Sequence, residues 1–283
     1  MGEHAIPSFK SLYLRREIQY RSGRTPGSAS LAQGWFAWLC SFLWNSYTFG
    51  YGLNDNESLP YQVGVQTAGL YRTYNFAFNG YSPAQMLAAI EDGMVRRVVD
   101  TAPKYVYYAA IPDQVWRVAS RKAWIKHQPR YILEADGTVR FAGFFPDPTP
   151  LALQLGFGKR IADQLGKSAM WRALNLREAA ITRDDIDLYL AIVRRSRDLL
   201  AVQFPGVTFR VLMWPGHTEA QRSTSVVLGQ DLQQMGISVD LVVNILPGYT
   251  RNETPFVLSS RDPHPNAVAN RLLAQFLVNE LSH

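Results

Sequence analysis

The sequence predicts an α/β fold, a three-layer α/β/α sandwich around a mostly parallel central sheet. Three observations lead there. Short apolar runs at 35–44, 105–111 and 207–214 have the continuous hydrophobicity of strands buried on both faces. Segments with helical periodicity and caps lie between strand signals, so strands and helices alternate as in βαβ units. The composition supports one sizeable core, because 47% of the 283 residues are apolar and only 18% are charged.

Residues 1–33 are basic and polar, with Gly23, Pro26 and Gly27, and read as a leader or loosely packed arm ahead of a single domain over 34–283. The run 35–44 is the first core strand, since a membrane-spanning helix needs roughly 20 apolar residues. It follows a polar leader, and no small-residue cleavage site comes after it, so cytoplasmic residence is the default expectation. Residues 59–70 have helical character, and 73–78 read as a short strand ending at Asn79-Gly80. Ser82 and Pro83 supply the cap and first-turn proline of a helix reaching about residue 99. Pro103 breaks that helix, and the strand 105–111 follows. Further on, a helix over 182–203, a strand over 207–214, a helix over 221–235, a strand over 239–245 and a last helix over 265–281 complete the alternation.

An insertion at about 120–180 interrupts this pattern. Ala135-Asp136-Gly137-Thr138 between two short apolar runs signals a hairpin. A proline-rich stretch and short helical pieces with Gly156, Gly158 and Gly166 come next. The segment reads as packed over one end of the sheet. Its aromatics, among them Tyr131, Phe141, Phe144 and Trp171, form either a small core of its own, the simpler reading, or the lining of an acyl or sugar pocket. Gly156-x-Gly158 has no Gly-Lys-Ser/Thr following it in frame and no strand before it, and is not a phosphate loop.

Charge and composition narrow the function. The net charge of +6 is spread over the chain, with local pairs at Arg15-Arg16, Arg96-Arg97 and Arg194-Arg195, as on solvated helix faces. A nucleic-acid partner is therefore not expected, while acidic substrates or anionic surfaces are compatible with the balance. Cys40 is the only cysteine, so no intrachain disulfide forms, and its apolar surroundings suit a buried thiol. The five histidines fall into no HExxH or Cys/His cluster, so neither a metal nor a cofactor is expected.

Two segments carry chemistry. In Asp262-Pro263-His264-Pro265-Asn266, an Asp two residues before a His can hold one ring nitrogen and leave the other free to work as a base. The plain alternative is a capped helix start with Pro265 in its first turn. More than two hundred residues upstream, Asn45-Ser46-Tyr47-Thr48-Phe49-Gly50-Tyr51-Gly52 comes after the first strand. A Ser there, with a Gly-containing turn after it, is where α/β enzymes seat a nucleophile. Ser46, Gly80, Asp113 and Trp214 all fall at or just after carboxyl ends of expected strands, the edge at which such sheets bind ligands.

Together, Ser46 with Thr48-Phe49-Gly50, the segment Asn75-Phe76-Ala77-Phe78-Asn79-Gly80-Tyr81, and Asp262-x-His264-Pro265-Asn266 resemble the SGNH (GDSL) hydrolases, from about residue 44 to the C-terminus. The resemblance implies a flavodoxin-like three-layer fold and the hydrolysis or transfer of ester-linked acyl groups. It implies Ser46 as nucleophile, His264 as base, Asp262 as its orienter, and the backbone N–H groups of Ser46 and Gly80 as oxyanion donors. The substrate expected is a carbohydrate, lipid or small ester, with no cofactor. Asn79, Asp113, Trp214 and His217 are candidate substrate contacts. His217 reads as a structural or substrate-contact residue rather than a second base, because His264 already has an Asp partner in sequence. Asp184, Asp185 and Asp187 read as structural, since acidic residues suit the start of a helix.

The chain also departs from the family pattern. Trp44-Asn45 stands where Gly-Asp is usual, so a large ring sits where close packing is expected, while Asn keeps the shape of Asp without its charge. Pro112, in Ile111-Pro112-Asp113-Gln114, occupies the position of the oxyanion Asn and offers neither N–H nor amide. Gln114 or Arg117 is the candidate replacement donor. Two further readings share the scaffold: an O-acyltransferase using the same triad, and a non-catalytic binding protein, which Trp44 and Pro112 favour. Oligomeric state is left open.

Overall fold

The computed structural model describes residues 38–43, 45–99, 101–120, 128–145 and 181–281. The expectations for the leader, for Trp44, and for the glycine-containing pieces and Trp171 of the insertion lie outside the described residues.

The strands are β1 (Trp38–Leu43), β2 (Tyr71–Asn75), β3 (Pro103–Ala110), β4 (Pro129–Leu133), β5 (Val139–Phe144), β6 (Thr208–Met213), β7 (Ser238–Leu241), β8 (Val257–Ser259) and β9 (Asp262–Pro265). The helices are α1 (Ser46–Phe49), α2 (Leu59–Gln66), α3 (Pro83–Glu91), α4 (Met94–Val98), α5 (Asp113–Val118), α6 (Arg183–Gln203), α7 (Glu219–Gln234), α8 (Val242–Ile245) and α9 (Ala267–Leu281). Among the described residues the central sheet has five strands in the order β2-β1-β3-β6-β7, with every pairing parallel. The expected α/β class with a parallel sheet is the one the chain adopts.

Side-chain alternation along β3 builds two cores. Val106, Tyr108 and Ala110 join one cluster with residues of α3, α6 and α7. Tyr107 and Ala109 join the other with residues of α2 and α9. A strand buried on both faces cannot alternate polar and apolar residues, which is why its sequence reads as one apolar run. The chain leaves β1 toward β2 on one side and returns to β3 on the other. That reversal of strand order opens a crevice at the carboxyl ends of β1 and β3.

Local hydrogen bonding moves several expected boundaries. The strand expected over 73–78 ends at Asn75, whose side chain accepts the Ala77 N–H at 3.0 Å and turns the chain. Pro103 is the first residue of β3 rather than a breaker before it, a position that needs no ladder N–H. The single helix expected from Ser82 to about residue 99 is two: α3 stops before Gly93, which is left-handed at φ 71°, and α4 comes after it. Only the first half of the strand expected over 239–245 exists. Val242 and Leu246 turn into the core beside α9, and that burial overrides the β propensity of Val242-Val243.

The expected hairpin is β4–β5, with Gly137 left-handed in the turn at φ 80°. It packs on α3 and α6. Its aromatics do not form a separate core: Tyr131 is buried in the main cluster with Phe141 against it, and its hydroxyl donates to Glu91 at 2.8 Å. The acidic start of α6 is structural as expected. Thr182 and Asp185 form a capping box, and Asp187 pairs with Arg183 at 2.9 Å. No described helix is long and apolar enough to cross a membrane.

The last helix starts two residues later than expected. Pro265 belongs to β9 and pairs with Val257 of β8, so Asn266 takes over the cap. Its Oδ1 accepts the N–H groups of Val268 and Ala269 at 3.1 Å, and its Nδ2 donates to the carbonyls of Pro255 and Val257 at 2.9 and 3.0 Å. One amide thereby joins the β8–β9 hairpin to α9. Asn266→Ala is expected to lower stability by about 1–2 kcal/mol, the range for losing an N-cap together with its hydrogen bonds to the hairpin, measured as a shift of the urea midpoint.

Candidate active site

β1 delivers the chain into the crevice, and Asn45 fixes the turn at its end. It is 0% exposed. Its Oδ1 caps α1 by accepting the N–H groups of Tyr47 at 3.0 Å and Thr48 at 3.1 Å. Its Nδ2 donates to the Ala109 carbonyl at the end of β3, at 2.8 Å. Ser46 therefore begins a short helix pinned between the two strands that flank the crevice. The Ser46 Oγ lies 2.9 Å from His264 Nε2.

His264 comes from β9. Its Nδ1 is 2.6 Å from Asp262 Oδ1, and the same oxygen accepts the His264 backbone N–H at 3.2 Å. Burial works against the charge on Asp262, but the hydrogen bonds from the ring and main chain of His264 outweigh it and hold the carboxyl below its ordinary range. Asp262 is thus an ionised acceptor through neutral pH. Two tyrosines flank the imidazole: Tyr47, buried, with ring centroids 5.2 Å apart, and Tyr51, 44% exposed, at 4.6 Å.

A second segment borders Ser46. Asn75 Nδ2 donates to the Thr48 carbonyl at 3.2 Å, and Phe78 packs on Phe49 with centroids 6.5 Å apart. The chain then turns at Asn79, which is exposed, and Gly80, left-handed at φ 77°. Arg117 secures this turn from α5: it donates to the Tyr81 carbonyl at 2.9 Å and pairs with Asp113 at 2.7 Å. Neither the Ser46 nor the Gly80 backbone N–H donates to another described residue.

The remaining sequence-selected residues lie around this arrangement. Gln114 is buried, and its Oε1 accepts from the Ile111 N–H at 3.0 Å and the Tyr108 hydroxyl at 2.6 Å, so its carbonyl is turned into the core. Trp214 is buried and meets Tyr47 edge-on with centroids 5.0 Å apart, behind the site. His217 reaches the Tyr47 hydroxyl through Nε2 at 2.8 Å and Glu253 through Nδ1 at 3.2 Å. The structure thus brings Ser46, Asp262 and His264 into one hydrogen-bonded chain. The Asn79-Gly80 turn and the Asp113–Arg117 pair that holds it border this chain, and Trp214 and His217 both contact Tyr47. No described group of His, Cys, Asp and Glu is arranged to hold a metal ion.

Sequence reasoning missed Tyr47, Tyr51 and Glu253. The two tyrosines lie in the motif around Ser46, Tyr47 on α1 and Tyr51 just past the left-handed Gly50 that ends it. Glu253 carries no local signal, because its partner is 36 positions away.

Asn45 can both donate and accept, which a carboxylate cannot. Asn45→Asp is expected to set a buried carboxylate against the Ala109 carbonyl and cost about 1–3 kcal/mol at neutral pH. The folded-state pKa of that Asp would lie above its unfolded value, so the lost stability should return as pH falls and the carboxyl protonates. Urea midpoints at pH 4 and pH 7 check the sign.

A scan against family models finds no match, and a search of curated proteins finds none. Among solved structures, an acetyl xylan esterase is similar with a TM-score of 0.50 and 12% identity, covering 86% of this chain and 99% of that one. A member of the lipolytic G-D-S-L family from Veillonella parvula gives a TM-score of 0.48 at 12% identity, covering 87% of this chain and 98% of its own. An acetyl-xylooligosaccharide esterase from Geobacillus gives 0.48 at 16% identity, covering 87% and 94%. Over most of its length the chain is structurally similar to the SGNH, or GDSL, hydrolases and shares their α/β fold.

Proposed function

We propose that this protein is a serine ester hydrolase of the SGNH type, removing an acyl group from a carbohydrate, lipid or small ester. The observation that carries this reading is the unbroken chain from Ser46 Oγ through His264 to Asp262, with links of 2.9 and 2.6 Å. As Oγ attacks the ester carbonyl carbon, His264 Nε2 takes its proton. The carbonyl π electrons move onto the oxygen, and the N–H groups of Ser46 and Gly80 donate to that oxyanion. Collapse of the tetrahedral species breaks the bond to the alcohol, which leaves with the proton from the imidazolium. Water then attacks the acyl-serine by the same steps and frees the acid. Asp262 stays charged throughout, fixes the ring tautomer and stabilises the imidazolium.

Pro112 removes the side-chain donor that the family pattern would supply. Losing one oxyanion donor typically costs about 10²–10³ in kcat, so a slow esterase is the expectation rather than an inactive one. Arg117 supports the remaining donors by holding the Tyr81 carbonyl, one residue beyond Gly80. The fold shared with an acetyl xylan esterase makes acetylated xylan a sensible first screen.

A fluorophosphonate probe should form an adduct on Ser46 of the intact protein and none on Ser46→Ala or His264→Ala, read by peptide mass spectrometry. Absence of any adduct on a folded protein would remove the catalytic reading. Asp262→Asn should lower kcat by about 10³–10⁴, because the amide favours the wrong ring tautomer. Arg117→Ala, which frees the Gly80 turn, should lower kcat by about tenfold or more, and unchanged turnover would exclude it from the oxyanion arrangement.

A further inference from the structure

We propose that Glu253, His217 and Tyr47 form a second hydrogen-bonded relay whose task is to position the Ser46 turn and the buried side of His264. The inference rests on the esterase reading above. Tyr47 is the residue after Ser46, so the two relays start from adjacent positions of the same short helix. Its hydroxyl is 2.8 Å from His217 Nε2, and His217 Nδ1 is 3.2 Å from Glu253 Oε2. Burial, with Tyr249 adding to it, pushes the Tyr47 phenol well above its ordinary pKa, so the hydroxyl keeps its proton and donates. Nε2 is then the acceptor, and Nδ1–H donates to the Glu253 carboxylate.

Both ring nitrogens of His217 are therefore engaged within the protein, which leaves neither for a substrate or a second proton transfer. This assigns it a positioning role. Its main chain is held as well: the N–H donates to Gln221 at 3.0 Å, and Arg222 donates to the carbonyl at 3.1 Å. Gly216 permits the close approach, since a Cβ there would lie 1.9 Å from the Gln221 Cβ. The relay runs from the buried nucleophile turn outward, with the His217 and Glu253 side chains 25% and 40% exposed.

Tyr47 transmits this anchoring in two ways. Its backbone N–H is tied to Asn45 Oδ1, which sets the turn carrying Ser46. Its ring stands 5.2 Å from the His264 imidazole and 5.0 Å from Trp214, so a rotation of the ring would remove one wall of the imidazole's seat. Without the relay, a buried hydroxyl would lose its partner and the ring would lose the contact that fixes its far end.

The test is steady-state hydrolysis of p-nitrophenyl acetate by Tyr47→Phe, His217→Ala, His217→Gln and the Tyr47→Phe/His217→Ala double variant, with thermal melts to establish folding. Tyr47→Phe and His217→Ala should each lower kcat by about 10- to 100-fold with KM essentially unmoved, as expected when reacting groups are slightly misplaced. His217→Gln, whose amide can accept from Tyr47 and donate to Glu253, should recover most of that loss. The double variant should be no slower than the worse single one, because the residues act as a unit. Wild-type kcat in folded Tyr47→Phe, or strictly additive losses, would overturn the relay while leaving the esterase reading intact. A wild-type protein without Ser46-dependent turnover would overturn both.

Discussion

The buried carboxamide of Asn45 is the contact on which the site depends. One end accepts two N–H groups and starts the helix that carries Ser46, and the other donates to the carbonyl of Ala109. β1 and β3 are neighbours in the sheet, and the chain reverses its strand order between them. A sheet of this kind leaves a crevice at that reversal whatever its sequence. Only a side chain that both donates and accepts can cap the turn and bind the neighbouring strand at once, and Asn does so without burying a charge.

The Asp262–His264 pair reaches the crevice by a different route. β8 and β9 form a small hairpin apart from the main sheet, and Asn266 ties it to α9. α9 packs in the core against the face of the sheet that carries Tyr107 and Ala109. His264 is therefore held through its own strand, through Asp262 and through the cap of a buried helix. These three supports keep His264 within hydrogen-bond distance of Ser46.

Aromatic packing supplies the frame around these polar contacts. Tyr47 contacts both Trp214 and His264, and Trp214 in turn meets Tyr249, which stacks on Phe256 beside the β8–β9 hairpin. Rings of this size fix one another by shape, and the polar tip of Tyr47 is satisfied by His217. Tyr131 and Phe141 of the β4–β5 hairpin do not take part, because they pack with the helices on the opposite face of the sheet.

The sequence by itself determined the α/β class, the parallel sheet and the three segments that carry Ser46, Gly80 and the Asp262–His264 pair. Those features are local: an apolar run of strand length, a glycine in a left-handed turn, and an Asp two residues from a His whose spacing alone lets one oxygen reach the ring. Boundaries were less legible where a side chain ended or began an element, as Asn75 ends β2 and Asn266 starts α9, or where burial of Val242 turned an apparent strand into a helix. What only the tertiary structure decided were the contacts between residues distant in the chain. Ser46 and His264 are 218 positions apart, and Tyr47 and His217 are 170 apart. Hydrogen bonds of this length in sequence depend on how strands are ordered and loops close, and neither periodicity nor spacing encodes that order locally.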